Sequence, residues 1–293
     1  MASGESKQVP VTVIGGYLGS GKTTLVNHLL RNANGRRLAI LVNEFGALPI
    51  DADLIEAQDD KVISLSGGCV CCSYGNDLIM AMMDMAKMTP RPDHIVLEAS
   101  GVALPGAIVS SLSLLADYTI DGVVVLADAE TVQERARDKY MSDTVLRQLS
   151  DADIVLLNKI DLISEAERAT IQKWLQTVAT ESAVVETERS VVPPEIVLRD
   201  FERPVSDGSS AHIHQTQFVT QTLACSEPVD PASFVKTLIT STPGLVRAKG
   251  FVRDEDGAMH TVQIVGKRSE ITPAPDGANP GMVTITAGLP GRE

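Results

Sequence analysis

Apolar runs of strand length recur through the first half of the chain, each separated from the next by a stretch of helical period. VTVIGG (11–16), LAILVNE (38–44), VISLSGG (62–68), HIVLEAS (94–100), GVVVLADA (122–129) and DIVLLNK (153–159) are continuous rather than alternating. Continuity means burial on both faces, the state of a strand in a parallel sheet that helices cover on either side. Between the runs the pattern predicts helices over 22–32, 76–88, 104–117, 131–139 and 143–151, and one more over 164–180 after the last run. Connections through helices keep consecutive strands parallel. The expected fold class is therefore α/β, a mostly parallel sheet with helices on both faces.

The rhythm changes after about residue 190, where VVPPEIVLRDFERPVSDGSSAHIH brings paired prolines and then an Asp-Gly-Ser-Ser stretch. This predicts a first domain over 1–202, a linker over 203–211 and a small α+β domain over 212–293. In the second, HIHQTQFVTQTL and TVQIVG read as strands and PASFVKTLITST as a helix. GLVRAKGFVRDEDGAMHTVQIVG reads as a hairpin turning at Asp256-Gly257. Thr272 to Asn279 reads as a loop, with MVTITAGL available as a final strand.

Composition narrows the classes. At 293 residues with 44% apolar and 22% charged, the chain is of ordinary globular make-up, and no apolar stretch nears the roughly 20 residues of a membrane span. No membrane partner is expected. A net charge of −13 and a pI near 4.8 argue against a nucleic-acid partner, whose phosphates such a surface repels. MASGESKQVP has no apolar run ahead of a cleavage site, so no secretory signal is expected and the location read from the sequence is cytoplasmic. Three of the four cysteines crowd into 69–72, which suits metal or redox chemistry better than a disulfide framework.

The candidate chemistry sits where the strand runs end. Gly16-Tyr-Leu-Gly19-Ser20-Gly21-Lys22-Thr23 fits the pattern G-x-x-x-x-G-K-T/S in full, between a strand and a helix. There the glycines let backbone N–H groups curl around a β-phosphate, and Lys22 reaches the β and γ oxygens. The Thr23 hydroxyl can ligate Mg²⁺, and the helix N-terminus adds partial positive charge. Gly16, Gly19, Ser20, Gly21, Lys22, Thr23 and the following Thr24 are the nucleotide-binding candidates. Asn158-Lys159-Ile160-Asp161, after a later strand, fits N-K-x-D; Asp161 would accept from the N1–H and exocyclic amine of guanine, a pairing adenine cannot match. GTP is thus the expected nucleotide. Glu98-Ala-Ser-Gly101 ends another strand run, with Glu98 placed to hold Mg²⁺ through its water shell and the Gly101 N–H to report on the γ-phosphate. The alternative for Glu98 is a helix cap.

Cys69-Val70-Cys71-Cys72 follows Gly67-Gly68 directly. Three thiols this close suit Zn²⁺ or a similar thiophilic ion, with a fourth ligand still required; buried structural cysteines and a redox pair are the alternatives. Taken with the phosphate loop and N-K-x-D, this Cys-x-Cys-Cys makes the chain resemble the CobW-like metallochaperone GTPases. That group is akin to the nickel-delivery GTPases of hydrogenase and urease maturation. The resemblance runs through GGYLGSGKTTLVNHLL, NEFGALPIDADLI, GGCVCC, IVLEASG, LLNKIDL and GLVRAKGF. It implies a P-loop NTPase domain with a small C-terminal domain, and Mg²⁺-dependent GTP hydrolysis coupled to binding of Zn²⁺ or Co²⁺. The metal would pass to a client metalloprotein, a metal-insertion complex or a cobalamin pathway, with a homodimer left open; the rival is a metal-sensing regulatory GTPase acting through protein contacts. By resemblance alone, Glu44 joins Cys69, Cys71 and Cys72 at the transition metal, and Asp51 contacts Mg²⁺ or the attacking water. The catalytic set so implied is Lys22, Asp51, Glu98 and Gly101, with Thr23 and Glu98 at Mg²⁺. Two departures from the family pattern are Leu48-Pro49 before Ile-Asp and Ala99 after Glu98.

Other residues carry less. His212 and His214 flank Ile213 on one expected strand face and could bind metal together, but a solvated linker is the plainer reading. Met80, Met82, Met83, Met85 and Met88 cover several faces of one expected helix, a pattern of core packing or a partner surface. His28, His94 and His260 are isolated, and Cys225 stands alone as a structural residue.

Overall fold

A computed structural model describes residues 8–33, 35–42, 62–65, 76–198, 212–214, 218–275 and 277–287. It divides into two compact units, Met1–Thr180 with Glu186–Arg199, and Asp200–Glu293 with Glu181–Val185. The expected linker 203–211 lies outside the described residues.

The first unit alternates strand and helix: β1 (Val9–Gly16), α1 (Lys22–Arg31), β2 (Leu38–Val42), β3 (Val62–Leu65), α2 (Asn76–Ala86), β4 (His94–Glu98) and α3 (Pro105–Leu112). Then follow β5 (Tyr118–Asp128), α4 (Val132–Arg135), α5 (Ser142–Ser150), β6 (Ile154–Asn158), a 3-10 turn (Ile160–Leu162), α6 (Glu165–Val178), β7 (Ala183–Thr187), of which 183–185 group with the second unit, and α7 (Pro194–Val197). The sheet order is β3-β2-β4-β1-β5-β6-β7. The pairs from β3 through β6 are parallel, in agreement with the expected class. Every residue of β1, β2, β4 and β6 is buried, which is why their runs are continuously apolar. In α1 the buried positions Lys22, Leu25, Val26 and Leu29 keep the i, i+3, i+4, i+7 stripe of a helix laid on a sheet.

β1 occupies the middle of this sheet, and the chain leaves it toward β2 on one side before β5 takes up the other. In such sheets ligands gather at the carboxyl ends of the strands where the order reverses. Gly16, Glu98, Asp128 and Asn158 are the last residues of β1, β4, β5 and β6. The register sets Ile14 opposite Glu98 and Asp128 opposite Asn158, so parallel pairing alone collects these four at one edge.

Several elements depart from the expectation: the helix expected over 104–117 ends at Leu112, and α7 was not foreseen. β7 was not foreseen; its burial is broken, because a strand at the sheet edge needs no unbroken apolar run. The helix expected over 131–139 shrinks to α4, with turns from Ala136 to Met141. The methionine helix splits: Met82 and Met85 are fully buried in the core, whereas Met80 and Met83 are exposed.

The second unit contains β8 (His212–His214), β9 (Phe218–Leu223), α8 (Pro231–Ser241), β10 (Leu245–Arg253), β11 (Met259–Val265), β12 (Arg268–Pro273) and β13 (Gly281–Ala287). Its sheet runs β12-β11-β10-β13-β9-β8 and its pairs are antiparallel. Val235 and Leu238 of α8 pack on Ala248, Val252, Val262, Ile264 and Met282, with Cys225 in the same cluster and its thiol pushed up by burial. MVTITAGL does supply a strand, and a central one. β12 overlaps the stretch read as loop only at Thr272 and Pro273; it is an exposed strand held by its ladder with β11.

The β10–β11 hairpin turns where Asp256-Gly257 was expected, and Asp254 organises it. Its Oδ1 accepts from the N–H of Asp256 (3.0 Å) and Ala258 (2.8 Å), and its Oδ2 meets His260 Nε2 at 2.6 Å. These contacts, the His260 bond foremost, hold the Asp254 carboxyl below its ordinary 3.8. Because the folded value is the lower one, the stability it contributes is present above 3.8 and fades as pH falls through the folded value. Asp254→Ala should therefore melt below wild type at neutral pH, and thermal melts at falling pH should show the gap closing under strong acid. A gap that widens on acidification would contradict this assignment.

Candidate functional site

The phosphate-loop candidate lies between β1 and α1, as its pattern requires. Gly16, Gly19 and Gly21 adopt φ of 125°, 78° and 107°. Gly21 matters most, because a Cβ there would sit 2.5 Å from both Asn158 Nδ2 and Ser190 Oγ. Lys22 is 8% exposed and its ammonium donates back across the loop to the carbonyls of Gly16 (3.0 Å) and Tyr17 (3.3 Å). The lysine thus spans the loop that precedes it. Ser20 is buried, while Thr24 is exposed one residue further into α1.

Thr23 and Glu98 meet at the end of β4. The Thr23 hydroxyl donates to Glu98 Oε1 at 3.0 Å, and Glu98 is 3% exposed. A hydroxyl and a buried carboxylate at one helix N-terminus make an all-oxygen donor set, which fits the hard Mg²⁺ ion. Gly101 follows on the same loop and presses on the phosphate loop: a Cβ would lie 2.7 Å from Leu18 Cγ and 2.9 Å from the Leu18 amide nitrogen. Only glycine admits that approach.

The N-K-x-D candidate divides into two tasks. Asn158 is 2% exposed and its amide is committed to the protein, Nδ2 donating to Ser20 O and Ser190 Oγ (both 2.9 Å) and Oδ1 accepting from Ser190 N (2.9 Å). Ser190 Oγ in turn donates to Gly21 O at 3.0 Å. Asn158 thus ties the phosphate loop to the segment after β7. Lys159 adopts φ 64° and pairs with Asp128 Oδ2 at 2.6 Å. Asp161, on the 3-10 turn, is exposed.

Glu44, Asp51, Cys69, Cys71 and Cys72 lie outside the described residues. β8 holds His212 and His214 paired with Thr220 and Phe218. His28, His94 and His260 are each engaged by protein partners, Val192 O, Thr12 and Asp254.

Sequence reasoning passed over three residues. Ser190 closes the network on Asn158, at a reversal where both Arg189 and Ser190 have positive φ. Arg135 of α4 stacks its guanidinium 5.3 Å from the centre of the Tyr17 ring, a cation–π contact on the phosphate loop. Gln148 of α5 reaches the Gly101 loop. Only Gln148 left a legible signal, a polar residue among the buried Val145 and Leu149.

The family model for the CobW/HypB/UreG nucleotide-binding domain matches residues 10–186, well over half of the chain. The chain belongs to this family. Residues 218–292 match the cobalamin synthesis protein CobW C-terminal domain, so both units carry CobW-type sequence. A relative named zinc chaperone CobW, from a Sinorhizobium species, is 28% identical over 89% of this chain and 86% of its own length. Zinc-regulated GTPase metalloprotein activator 1 of Dictyostelium discoideum is 32% identical over 67% of this chain, which spans half of that relative. Among solved structures, the Zn(II)-bound YjiA GTPase from E. coli aligns over 97% of this chain and 95% of its own, with a TM-score of 0.50 at 24% identity. That likeness speaks for the fold. Among the described residues no helix is long and apolar enough to cross a membrane.

Proposed function

We propose that this chain is a cytoplasmic GTPase that binds a transition metal, zinc or cobalt, and passes it to a client metalloprotein. The observation that carries the reading is the single edge at which a full phosphate loop, the Thr23–Glu98 pair and the N-K-x-D segment meet, bound together through Asn158 and Ser190. Lys22, Thr23 and the loop amides hold the triphosphate, Asp161 reads guanine, and Gly101 answers to the γ-phosphate. Thr23 and Glu98 would hold Mg²⁺, which supplies charge neutralisation as the phosphoryl group leaves. In a chain of net charge −13, that local concentration of donors, helix dipole and cation offsets the repulsion a triphosphate meets elsewhere.

The metal half of the reading draws support from Cys69, Cys71 and Cys72, with Glu44, and from relatives named for zinc. Metal would be held in one nucleotide state and released in the other, which demands a difference in metal affinity between those states. The test uses the full chain loaded with zinc and a chromogenic zinc acceptor in solution. GTP should speed transfer to the acceptor, while ATP and a non-hydrolysable GTP analogue should not. Transfer at one rate under all three would contradict the delivery function and leave metal sensing as the account of the cysteines.

A further inference from the structure

The segment from Gly101 to Gly106 leads from β4 into α3, and α5 grips it at two points. Gln148 Nε2 donates to the carbonyl oxygens of Gly101 (3.1 Å) and Ala103 (2.8 Å). The side chain is 1% exposed, beside Val145 at 4% and Leu149 at 1%. A leucine would be the ordinary occupant of such a position; it would leave two interior carbonyls without this donor. Three residues further on, Asp151 Oδ2 accepts from the Gly106 N–H at 2.9 Å. Leu104, the N-cap of α3, gives no side-chain cap, so Asp151 supplies the anion at that helix start from a distant part of the chain. Gln148 and Asp151 are one turn apart and so share a side of the helix end.

The opposite side of the segment is equally constrained, because Gly101 touches the Leu18 amide of the phosphate loop with no room for a Cβ. The loop assigned to the γ-phosphate is therefore pinched between the phosphate loop and α5. Gln148 holds its first half at Gly101 and Ala103, and Asp151 holds its end at Gly106.

We propose that α5 is a clamp on this loop, with Gln148 a positioning residue that sets how the loop answers to the γ-phosphate. The inference rests on the GTPase reading and deepens it by naming what regulates the site. Gln148 touches neither nucleotide nor Mg²⁺ in this scheme. It fixes the peptide plane that follows Gly101, so that Gly101 engages a γ-phosphate without first being ordered. Loosening the clamp should therefore penalise the GTP state more than the GDP state, since only GTP draws on the loop.

The test compares Gln148→Leu, Asp151→Ala and Asp151→Asn in the full chain. It measures kcat and KM for GTP, and affinities for GDP and a non-hydrolysable GTP analogue. Gln148→Leu should lower kcat by about 10-fold or more and analogue affinity by roughly fivefold, with GDP affinity held within about twofold. Asp151→Ala should move the same quantities in the same direction by less, and Asp151→Asn, which keeps an acceptor oxygen, should restore wild-type values. Equal losses for both nucleotides, or no loss in kcat, would overturn the clamp. Asp151 is exposed, so its variants keep the test decisive even where Gln148→Leu folds poorly. Wild-type binding is the separate control: a wild-type chain that binds neither nucleotide sinks the GTPase reading itself, whereas sound wild-type binding with uniform variant losses sinks the clamp alone.

Discussion

Gly21→Ala should lower GTP affinity by about 100-fold or more, the result of roughly 3–5 kcal/mol lost at a single methyl group. Three effects add. The backbone at Gly21 has φ 107°, a region L side chains rarely occupy, so the substitution is strained wherever its methyl points. The methyl would then stand 2.5 Å from Asn158 Nδ2 and from Ser190 Oγ, so both must retreat. Their retreat opens the bonds from Asn158 to Ser20 O and to Ser190, and from Ser190 to Gly21 O. Since those bonds join the phosphate loop to the segment after β7, the loop amides would lose their shape before any ligand arrives. Titration with a fluorescent GDP or GTP analogue measures the loss. Affinity within about threefold of wild type would mean that the Asn158–Ser190 network does not shape the pocket.

Asp161→Ala should weaken GTP by roughly 100- to 10,000-fold while leaving ATP affinity unchanged. Two charge-assisted hydrogen bonds to guanine disappear, each worth about 1.5–3 kcal/mol. Asp161 is exposed on its 3-10 turn, so folding stability should shift by no more than about 0.5 kcal/mol. The contrast with Gly21→Ala is diagnostic, because that variant should weaken every nucleotide whereas this one should erase discrimination alone. Competition between GTP and ATP against a labelled nucleotide separates them. A variant of Asp161 that still prefers GTP would move base reading elsewhere.

The parts of this site that could be read from the sequence are those where a motif and an element boundary coincide. At Gly16–Thr23 the strand run ends, the glycines begin and the helical stripe of Leu25, Val26 and Leu29 starts, so pattern and chemistry select the same residues. Glu98 and Asn158 were legible for the same reason, as polar residues closing buried runs. Parallel pairing then did what no local pattern announces and drew these strand ends to one edge.

What stayed hidden depends on contacts far apart in the chain. Ser190 reaches Asn158 across 32 residues, and its positive φ follows from the reversal at Arg189 rather than from its own side chain. β7 and β12 lie at sheet edges, where one row of hydrogen bonds and partial burial suffice and the apolar signal thins. Asn158 shows the opposite difficulty: the motif was plain, but the task of its amide was not. Only the fold brings together the Ser20 carbonyl and the Ser190 amide that it braces.

If the proposed function holds, a nucleotide at this sheet edge and zinc at Cys69, Cys71 and Cys72 must each change the affinity for the other. Zinc affinity should be measured on the full chain twice, once saturated with Mg·GDP and once with a non-hydrolysable Mg·GTP analogue. The constants should differ by about tenfold or more, a coupling of roughly 1.4 kcal/mol that must reappear as an equal effect of zinc on nucleotide affinity. Identical zinc affinity in the two states would contradict it.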